Sequence, residues 1–521
     1  MQDPHWGGTL GGILVDALAR FKDRPAIADD RVQWNYGELA SVIGRFIAVY
    51  KSIGLKRGDA LSILSSNRAE SWATICAAMI MGLRYTPLHP LASEDDHVFI
   101  LEDAKIDLLI VDASRFESRG IAIRNRISEL GHMFSFGAME NSEDILVKIE
   151  NVKAAPLIDE SDFGDIAWLA YTGGTSGRPK GVMLPHRCFV MMTLLLISDW
   201  DWPTQIRFAA VTPISHAAGV TLFPIMCRGG FMRLIDGFDA NSFCRVIQEQ
   251  KINATFLVPT IIYTLLDSAA IRTRYDLSSL ETIVYGAAPM SPHRLEQGVD
   301  VFGSIFVQMY GQTEAPQCIM TLRKEDHDLA KPHRLGSCGR PAPSVTVKLF
   351  DENMRESEVG QPGEICVRGP LVMDGYWNRD DATEEAFRGG WLHTGDVAKK
   401  DEEGYFYLVD RTKDLIITGG FNVYPREVED AIAEHPAVAQ VAVIGIPDNK
   451  WGESVKAFIV LKAECSVSGA EIQAHVKKKR GGPWSPKSVD FVDSIPMTSL
   501  GKIDRKTLRS AYWSGQKRGI A

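Results

Sequence analysis

The sequence lacks several features that would place it in a simpler class. No two cysteines form a Cys-x-x-Cys pair; the eight, at 76, 188, 227, 244, 318, 338, 366 and 465, are scattered along 521 residues. Such dispersion in a long chain reads as reduced and cytoplasmic, and all eight are expected to be buried small hydrophobes. No run reaches the roughly 20 apolar residues of a membrane span. Thr193 to Ile197 is too short, so no integral membrane segment is expected. Residues 1–21 lack the basic flank and unbroken apolar stretch of a signal peptide. Basic excess is missing too. Lys plus Arg number 57 against 66 Asp plus Glu, a net charge of −9, which argues against nucleic acid as a partner because phosphate backbones demand basic surface. There are no internal repeats and no low-complexity tract.

What is present is ordinary in bulk: 45% apolar and 24% charged residues, enough for two or more domains at this length. Leu10, Ile13, Leu14 and Leu18 fall at helical spacing. Asn35 with Glu38 three residues on reads as a helix start. Leu39, Ile43, Phe46, Val49 and Ile53 keep one face apolar, and Gly54 stands at the stop. Leu61 to Leu64 reads as a strand, followed by an Ala- and Met-rich helix ending near Gly82. Leu108 to Val111 is a short apolar run of the kind buried parallel strands show. The alternation predicts α/β layers. Past about Val409 the pattern restarts as a compact αβ unit. Val428, Ala431, Ile432 and His435 share a helical face, and Val441 to Ile446 and Val455 to Leu461 read as strands. The boundary is placed in the charged run Asp410-Arg411-Thr412-Lys413-Asp414.

The strongest chemical signal is Tyr171-Thr172-Gly173-Gly174-Thr175-Ser176-Gly177-Arg178-Pro179-Lys180-Gly181. Its four glycines let backbone approach an anion, its hydroxyls add donors, and Lys180 adds positive charge, which is what a polyphosphate requires. It is not a Walker A loop, since Pro179 precedes the lysine and no Ser or Thr follows it. Composition alone also allows a flexible Gly/Ser loop.

This segment closely resembles the signature loop of the acyl-adenylate-forming (AMP-binding) superfamily, which includes acyl-CoA synthetases, peptide-synthetase adenylation domains and beetle luciferases. Further motifs follow in the family order: Tyr310-Gly311-Gln312-Thr313-Glu314, Trp391-Leu392-His393-Thr394-Gly395-Asp396, the stretch 410–429 with Gly419-Gly420-Phe421-Asn422, and Pro496-Met497-Thr498-Ser499-Leu500-Gly501-Lys502. Together they span about two-thirds of the chain and are similar to those of bacterial fatty-acid–CoA ligases.

The resemblance implies an α/β fold with a large N-terminal domain of layered β-sheets flanked by helices, residues 1–412. A small mobile αβ C-terminal domain, 413–521, would hinge at Lys413. It implies an AMP-forming acid–thiol ligase acting on a small-molecule carboxylic acid with ATP, Mg2+ and coenzyme A. Thr172, Gly173, Gly174, Thr175, Ser176, Gly177 and Lys180 would hold the departing phosphates, and Glu314 the metal. Tyr310 would stack on adenine with Gly311 and Gln312 beside it, Thr313 would reach the α-phosphate, and Asp396 and Arg411 the ribose. Gly286-Ala287-Ala288-Pro289 would line the adenine and acyl sites, with Ile214, Ala217, Ala218, Val220 and Met309 making the acyl site apolar. Lys502 would be the catalytic lysine, with Thr175, Glu314 and His216 completing the catalytic set. The hinge rotation would withdraw Lys502 and bring Gly419, Gly420 and Phe421 to a pantetheine tunnel, near Trp451.

The physics fits those roles. A carboxylate is a poor electrophile until coupled to a leaving group such as AMP, and two anions must meet, so positive charge has to gather. Singly, each residue has a plainer reading: Glu314 and Lys502 as surface charges, Tyr310 and His216 as core residues, Trp451 as a half-buried aromatic. Lys477-Lys478-Lys479-Arg480 reads as a solvated helix end rather than a CoA contact, and Arg480 to Lys487 departs from the family pattern. Other functions remain open. An aminoacyl adenylation domain feeding a carrier protein would want an acidic residue beside His216 or Ala287, where there is none. An oxygenase of the luciferase kind and a catalytically silent nucleotide-binding homologue are further alternatives. A homodimer is compatible with the sequence, and the acid itself is unread.

Overall fold

All thirteen residues of the helix Ala69–Met81 are buried, and they mark the centre of the larger part of the molecule. A helix apolar all round offers no face to solvent, so other elements must cover it on every side. Its alanines keep it slim. Trp72 meets Phe223 with ring centroids 5.0 Å apart and donates to Met226 Sδ at 3.2 Å, docking it against the helix Ala217–Cys227. The helix Leu10–Arg20 closes another side through buried Leu10, Leu14 and Leu18. The structure is a computed structural model. It describes residues 8–172, 179–411, 414–419, 421–448, 450–498 and 503–513, without the side chains of Asp410, Arg411 and Asn422.

Two large sheets sandwich these helices and share one core. In the eight-stranded sheet, Ala60–Leu64, Arg84–Pro87, Leu108–Asp112 and His132–Phe136 run parallel. Parallel strands need crossover connections, and the intervening helices supply them. Ile166–Thr172 joins the same sheet and then pairs antiparallel with Lys180–Pro185, Thr172 facing Lys180. In the nine-stranded sheet, Arg207–Ala210, Ala254–Leu257, Thr282–Gly286 and Phe306–Gln312 lie side by side in parallel. Ala315–Leu322 folds back antiparallel on the last of them.

A four-stranded antiparallel sheet follows, of Thr346–Phe350, Gly363–Arg368, Leu392–Lys400 and Phe406–Arg411. From Ile416 onward the strands belong to a separate five-stranded sheet. That sheet carries the helices Pro425–Ala433 and Gly469–Arg480 over its own small core, including Ile416, Val428, Ile432, Val443 and Ile472. The architecture is α/β, with a large sheet-and-helix part and a small C-terminal one, as the sequence implies.

Local readings meet the structure closely. Asn35 and Glu38 form a reciprocal capping box on Tyr36–Ser52. Two readings need correction. His435 lies past the helix Pro425–Ala433, because Pro436 disfavours helical backbone at the residue before it. Not all cysteines are buried. Cys465 is exposed and Cys227 half-buried, though all eight are free. Cys465 occupies a turn after the strand Gly452–Leu461, its N–H donating to Lys462 O at 3.1 Å, where no second layer covers it.

Candidate active site

The turn Tyr310–Ala315 links two strands of the nine-stranded sheet and gathers residues from three distant segments. Glu314, half-buried, accepts a hydrogen bond from Tyr376 Oη at 2.9 Å. Tyr376 comes from the short strand Gly375–Tyr376, which pairs with Lys180–Pro185, and its ring lies 5.0 Å beneath Lys180 Nζ. At the other end of the turn, Tyr310 is buried and its Oη donates to Asp396 Oδ2 at 2.7 Å. Side-chain contacts therefore run from Lys180 through Tyr376 to Glu314, and from Tyr310 to Asp396, with the backbone of the turn joining the two.

Burial pushes the phenols of both Tyr310 and Tyr376 well up, and the carboxylate beside each adds to it. Both therefore stay neutral donors, leaving Glu314 and Asp396 as acceptors. Glu314 Oε1 takes the Tyr376 bond. An ionised carboxylate has further lone pairs to offer, and hard carboxylate oxygen suits a hard cation such as Mg2+. Gln312 Nε2 is buried and finds no acceptor among the described residues. An orphan donor inside the turn is the kind of group a bound ligand satisfies. Thr313 is half-buried beside it.

Asp396 is aimed by its own strand. Thr394 Oγ1 donates to Ile365 O at 2.8 Å and accepts from Asp396 N at 3.1 Å. Gly395 between them has φ 72°, a left-handed conformation that glycine takes without steric cost. Arg411 faces Asp396 in the strand register. Its side chain lies outside the described residues, as do Gly173, Gly174, Thr175, Ser176, Gly177, Lys413, Gly420 and Lys502. Thr172 and Lys180 are placed opposite each other at the two strand ends that flank the glycine-rich segment.

Gly286 pairs with Met309 in the sheet, and Ala287 after it has φ 62°, strained for a residue with a Cβ. Ile214, Ala218, Val220 and Met309 belong to the shared core, with Ala217 and Ala287 packed on it. His216 precedes the helix Ala217–Cys227, bonded through Nδ1 to Ser215 Oγ at 2.9 Å. Burial drives its imidazole down to about 3. It is thus a neutral ring at physiological pH, able to shape a site but not to carry charge. Gly219 lets the chain turn there, since a Cβ would sit 1.7 Å from Ile214 O.

Gly419 and Trp451 come together: Gly419 N donates to Trp451 O at 2.8 Å, and a Cβ on Gly419 would lie 2.7 Å from the Trp451 ring. Phe421 is 51% exposed and faces Trp484 at 6.4 Å. Trp484 belongs to the segment that departs from the family pattern. These residues form an aromatic face on the C-terminal unit, apart from the Lys180–Asp396 line. Lys477 to Arg480 are exposed at the end of their helix.

Sequence reasoning missed Tyr376, His89, Gln317 and Asn67. His89 stacks edge-on against His216 at 4.5 Å. Gln317 Nε2 donates to Ala217 O at 2.6 Å. Asn67 Nδ2 donates to Thr212 O and its Oδ1 accepts from Ile214 N, each at 2.9 Å. Each meets a partner tens to more than a hundred residues away in sequence, so no local spacing could reveal it.

Comparison with known proteins agrees with this layout. The model of the AMP-binding enzyme family matches residues 14–377, and that of the AMP-binding enzyme C-terminal domain matches 427–502. A medium/long-chain-fatty-acid–CoA ligase of Mycobacterium tuberculosis is 43% identical over all of this chain and 94% of its own length. A feruloyl-CoA synthase of an Amycolatopsis species is 32% identical over 92% of this chain and 94% of its own. Among solved structures, an amide bond synthetase from Marinactinospora thermotolerans superposes with a TM-score of 0.89 at 29% identity, covering 96% of this chain and 99% of that one. With its turn, its paired tyrosines and its two matched regions, this chain belongs to the AMP-binding enzyme family.

Proposed function

We propose that this enzyme is an acyl-CoA ligase that activates a hydrophobic carboxylic acid. In the first step a carboxylate oxygen attacks the α-phosphorus of ATP and pyrophosphate leaves, giving an acyl-adenylate. In the second the sulfur of coenzyme A attacks the acyl carbon, AMP leaves, and the thiol proton passes to solvent. The observation that carries the reading is the pair of side-chain links Lys180–Tyr376–Glu314 and Tyr310–Asp396, joined through the backbone of the turn Tyr310–Ala315. It provides a cation, a carboxylate suited to a metal, and a second carboxylate with a neutral donor beside it, in the order phosphate, metal, nucleoside.

Lys180 and the residues from Thr172 to Gly177, Thr175 among them, bind the β- and γ-phosphates. Glu314 holds Mg2+, which supplies positive charge to the triphosphate. Asp396 and Arg411 take the ribose, Tyr310, Gly311 and Gln312 frame the adenine, and Thr313 reaches the α-phosphate. Lys502 screens the two anions as they approach, the largest electrostatic demand of the reaction. A hinge at Lys413, between domains 1–412 and 413–521, then exchanges Lys502 for the Gly419-Gly420-Phe421 face beside Trp451, which receives pantetheine. His216, Ala287 and Ala288 line the acyl site. The neutral state of His216 and the apolar residues around it favour an uncharged acyl body, in keeping with the fatty-acid ligase relative.

Pyrophosphate release and thioester formation across fatty acids of rising chain length and a set of aryl acids test this. Expected are release with hydrophobic acids and a CoA thioester once CoA is added. Release without any thioester overturns the ligase reading. Lys502→Ala should lower adenylate formation by about 100-fold or more, and full-speed synthesis would remove the lysine from the reaction.

A further inference from the structure

The register of the four-stranded sheet sets three different donor atoms against one another, outside the line of contacts just described. Glu364 and Cys366 stand two apart on Gly363–Arg368, so their side chains share a face. Cys366 is the direct antiparallel partner of His393 on Leu392–Lys400. Its Sγ lies 3.4 Å from His393 Nδ1, and that nitrogen lies 2.7 Å from Glu364 Oε2. One oxygen, one nitrogen and one sulfur all fall within 4.8 Å of one another.

The hydrogen bonds of the ring sharpen this. His393 Nε2 faces the carbonyl of Arg388 at 3.1 Å. A carbonyl only accepts, so Nε2 carries the hydrogen. In the neutral ring Nδ1 is then a lone-pair nitrogen, yet it faces a carboxylate oxygen, a second acceptor, at hydrogen-bond distance. At 2.7 Å the two atoms are spaced for a shared proton; a metal about 2.0–2.1 Å from each would take that proton's place and set them a few tenths of an ångström farther apart. A proton bridges two atoms, whereas a metal also takes the third, Cys366 Sγ. A backbone carbonyl holding the far nitrogen of an imidazole is how metal sites fix the tautomer of a ligating histidine. The carboxylate is held as well, since Glu364 Oε1 accepts from Gly395 N at 2.9 Å.

We propose that Glu364, Cys366 and His393 form a binding site for a divalent transition-metal cation of the zinc class. Sulfur, imidazole nitrogen and carboxylate oxygen together are the donor set of zinc rather than of magnesium or calcium. The strands bring the three donor atoms within 4.8 Å of one another, so small side-chain shifts complete the set, and three protein ligands leave a fourth position for water. The cation takes the place of the thiol proton on Cys366 Sγ. Uptake of one cation releases the thiol proton, and with it any proton held between Nδ1 and Oε2, to solvent, with no change of oxidation state. Because Gly395 directly precedes Asp396, the bound cation steadies the turn that aims that carboxylate.

The test uses the full chain, stripped with a chelator and titrated with cobalt(II) while absorbance and proton release are followed. Expected are one tight equivalent, a thiolate-to-cobalt charge-transfer band in the near ultraviolet, at least one proton released per cation, and displacement of cobalt by zinc. Cys366→Ser should keep the circular-dichroism spectrum, lose the band and bind about 10-fold more weakly or worse. If that variant does not fold, His393→Gln carries the same comparison. X-ray absorption of the zinc-loaded wild type needs no variant and should show one sulfur among nitrogen and oxygen neighbours. The proposal is overturned if the wild type takes up no cobalt, leaving only a proton between His393 and Glu364. A band that persists in Cys366→Ser, or a zinc shell without sulfur or with several, also overturns it.

Discussion

Tyr376 Oη donates to Glu314 Oε1 at 2.9 Å while the same ring lies under Lys180 Nζ. One phenol thus fixes both the carboxylate assigned to magnesium and the lysine assigned to phosphate. A hydrogen bond to a charged group contributes about 1.5–3 kcal/mol. Tyr376→Phe keeps the cation–π contact and removes only the donor. Its kcat/KM should fall by about 10-fold, and the magnesium concentration for half-maximal pyrophosphate release should rise, with Tm little changed. An unaltered magnesium dependence would detach Tyr376 from Glu314.

The pair Tyr310–Asp396 separates two roles. Tyr310→Phe keeps the ring and loses the donor, so KM for ATP should change by less than about 10-fold. Asp396→Ala removes the carboxylate and strands a buried phenol. We expect KM for ATP to rise by about 10–100-fold and Tm to drop, because a buried donor without a partner costs about 1–3 kcal/mol. Initial-rate kinetics against ATP with a thermal melt of each variant check both.

Gly219 permits a backbone approach that no other residue tolerates, because any Cβ there would fall 1.7 Å from Ile214 O. Gly219→Ala has to displace the start of the helix Ala217–Cys227. The expected cost is on the order of 3 kcal/mol, read by urea unfolding, together with impaired use of the longest acids.

Several histidines lowered by burial, His97 among them, set the acid side of stability. Burial lowers His89, His186 and His327 to about 4 and His216 to about 3. The unfolded chain takes up these protons near pH 6.5, while the folded one refuses them until far lower. Stability is therefore full above about pH 6.5 and falls as pH drops toward 4, by about 1.4 kcal/mol per unit of difference for each group. Asp430, pushed up to about 6 by burial, opposes this over part of the range, but it is one group against several. Melts between pH 7 and 4.5 should show Tm falling steadily, less steeply in His89→Gln. A flat profile would contradict the burial assigned to these rings.

Some of the fold was legible because its cause is local. The Asn35–Glu38 box needs only residues three apart, and the run Leu108 to Val111 needs only its own apolarity. His435 shows where a local reading overreaches: helical periodicity continued it past Ala433, while the proline that follows decided otherwise. In the site, Glu314 and Asp396 were legible through motif resemblance. Tyr376 was not, because nothing near Gly375-Tyr376 in the sequence says that its hydroxyl will meet a carboxylate 62 residues earlier.

By itself the sequence determined the class of chemistry. A glycine- and hydroxyl-rich segment ending in lysine, followed by carboxylates in fixed motifs, is a choice of functional groups, and functional groups are covalent facts. It determined the alternation of strands and helices for the same reason, since apolar period is written along the chain. Only the tertiary structure decided which groups meet: Tyr376 with Glu314, Tyr310 with Asp396, His89 with His216, and Cys366 with His393 and Glu364. Those meetings depend on strand register and on helix packing over long separations, where a shift of one residue would turn every side chain to the opposite face.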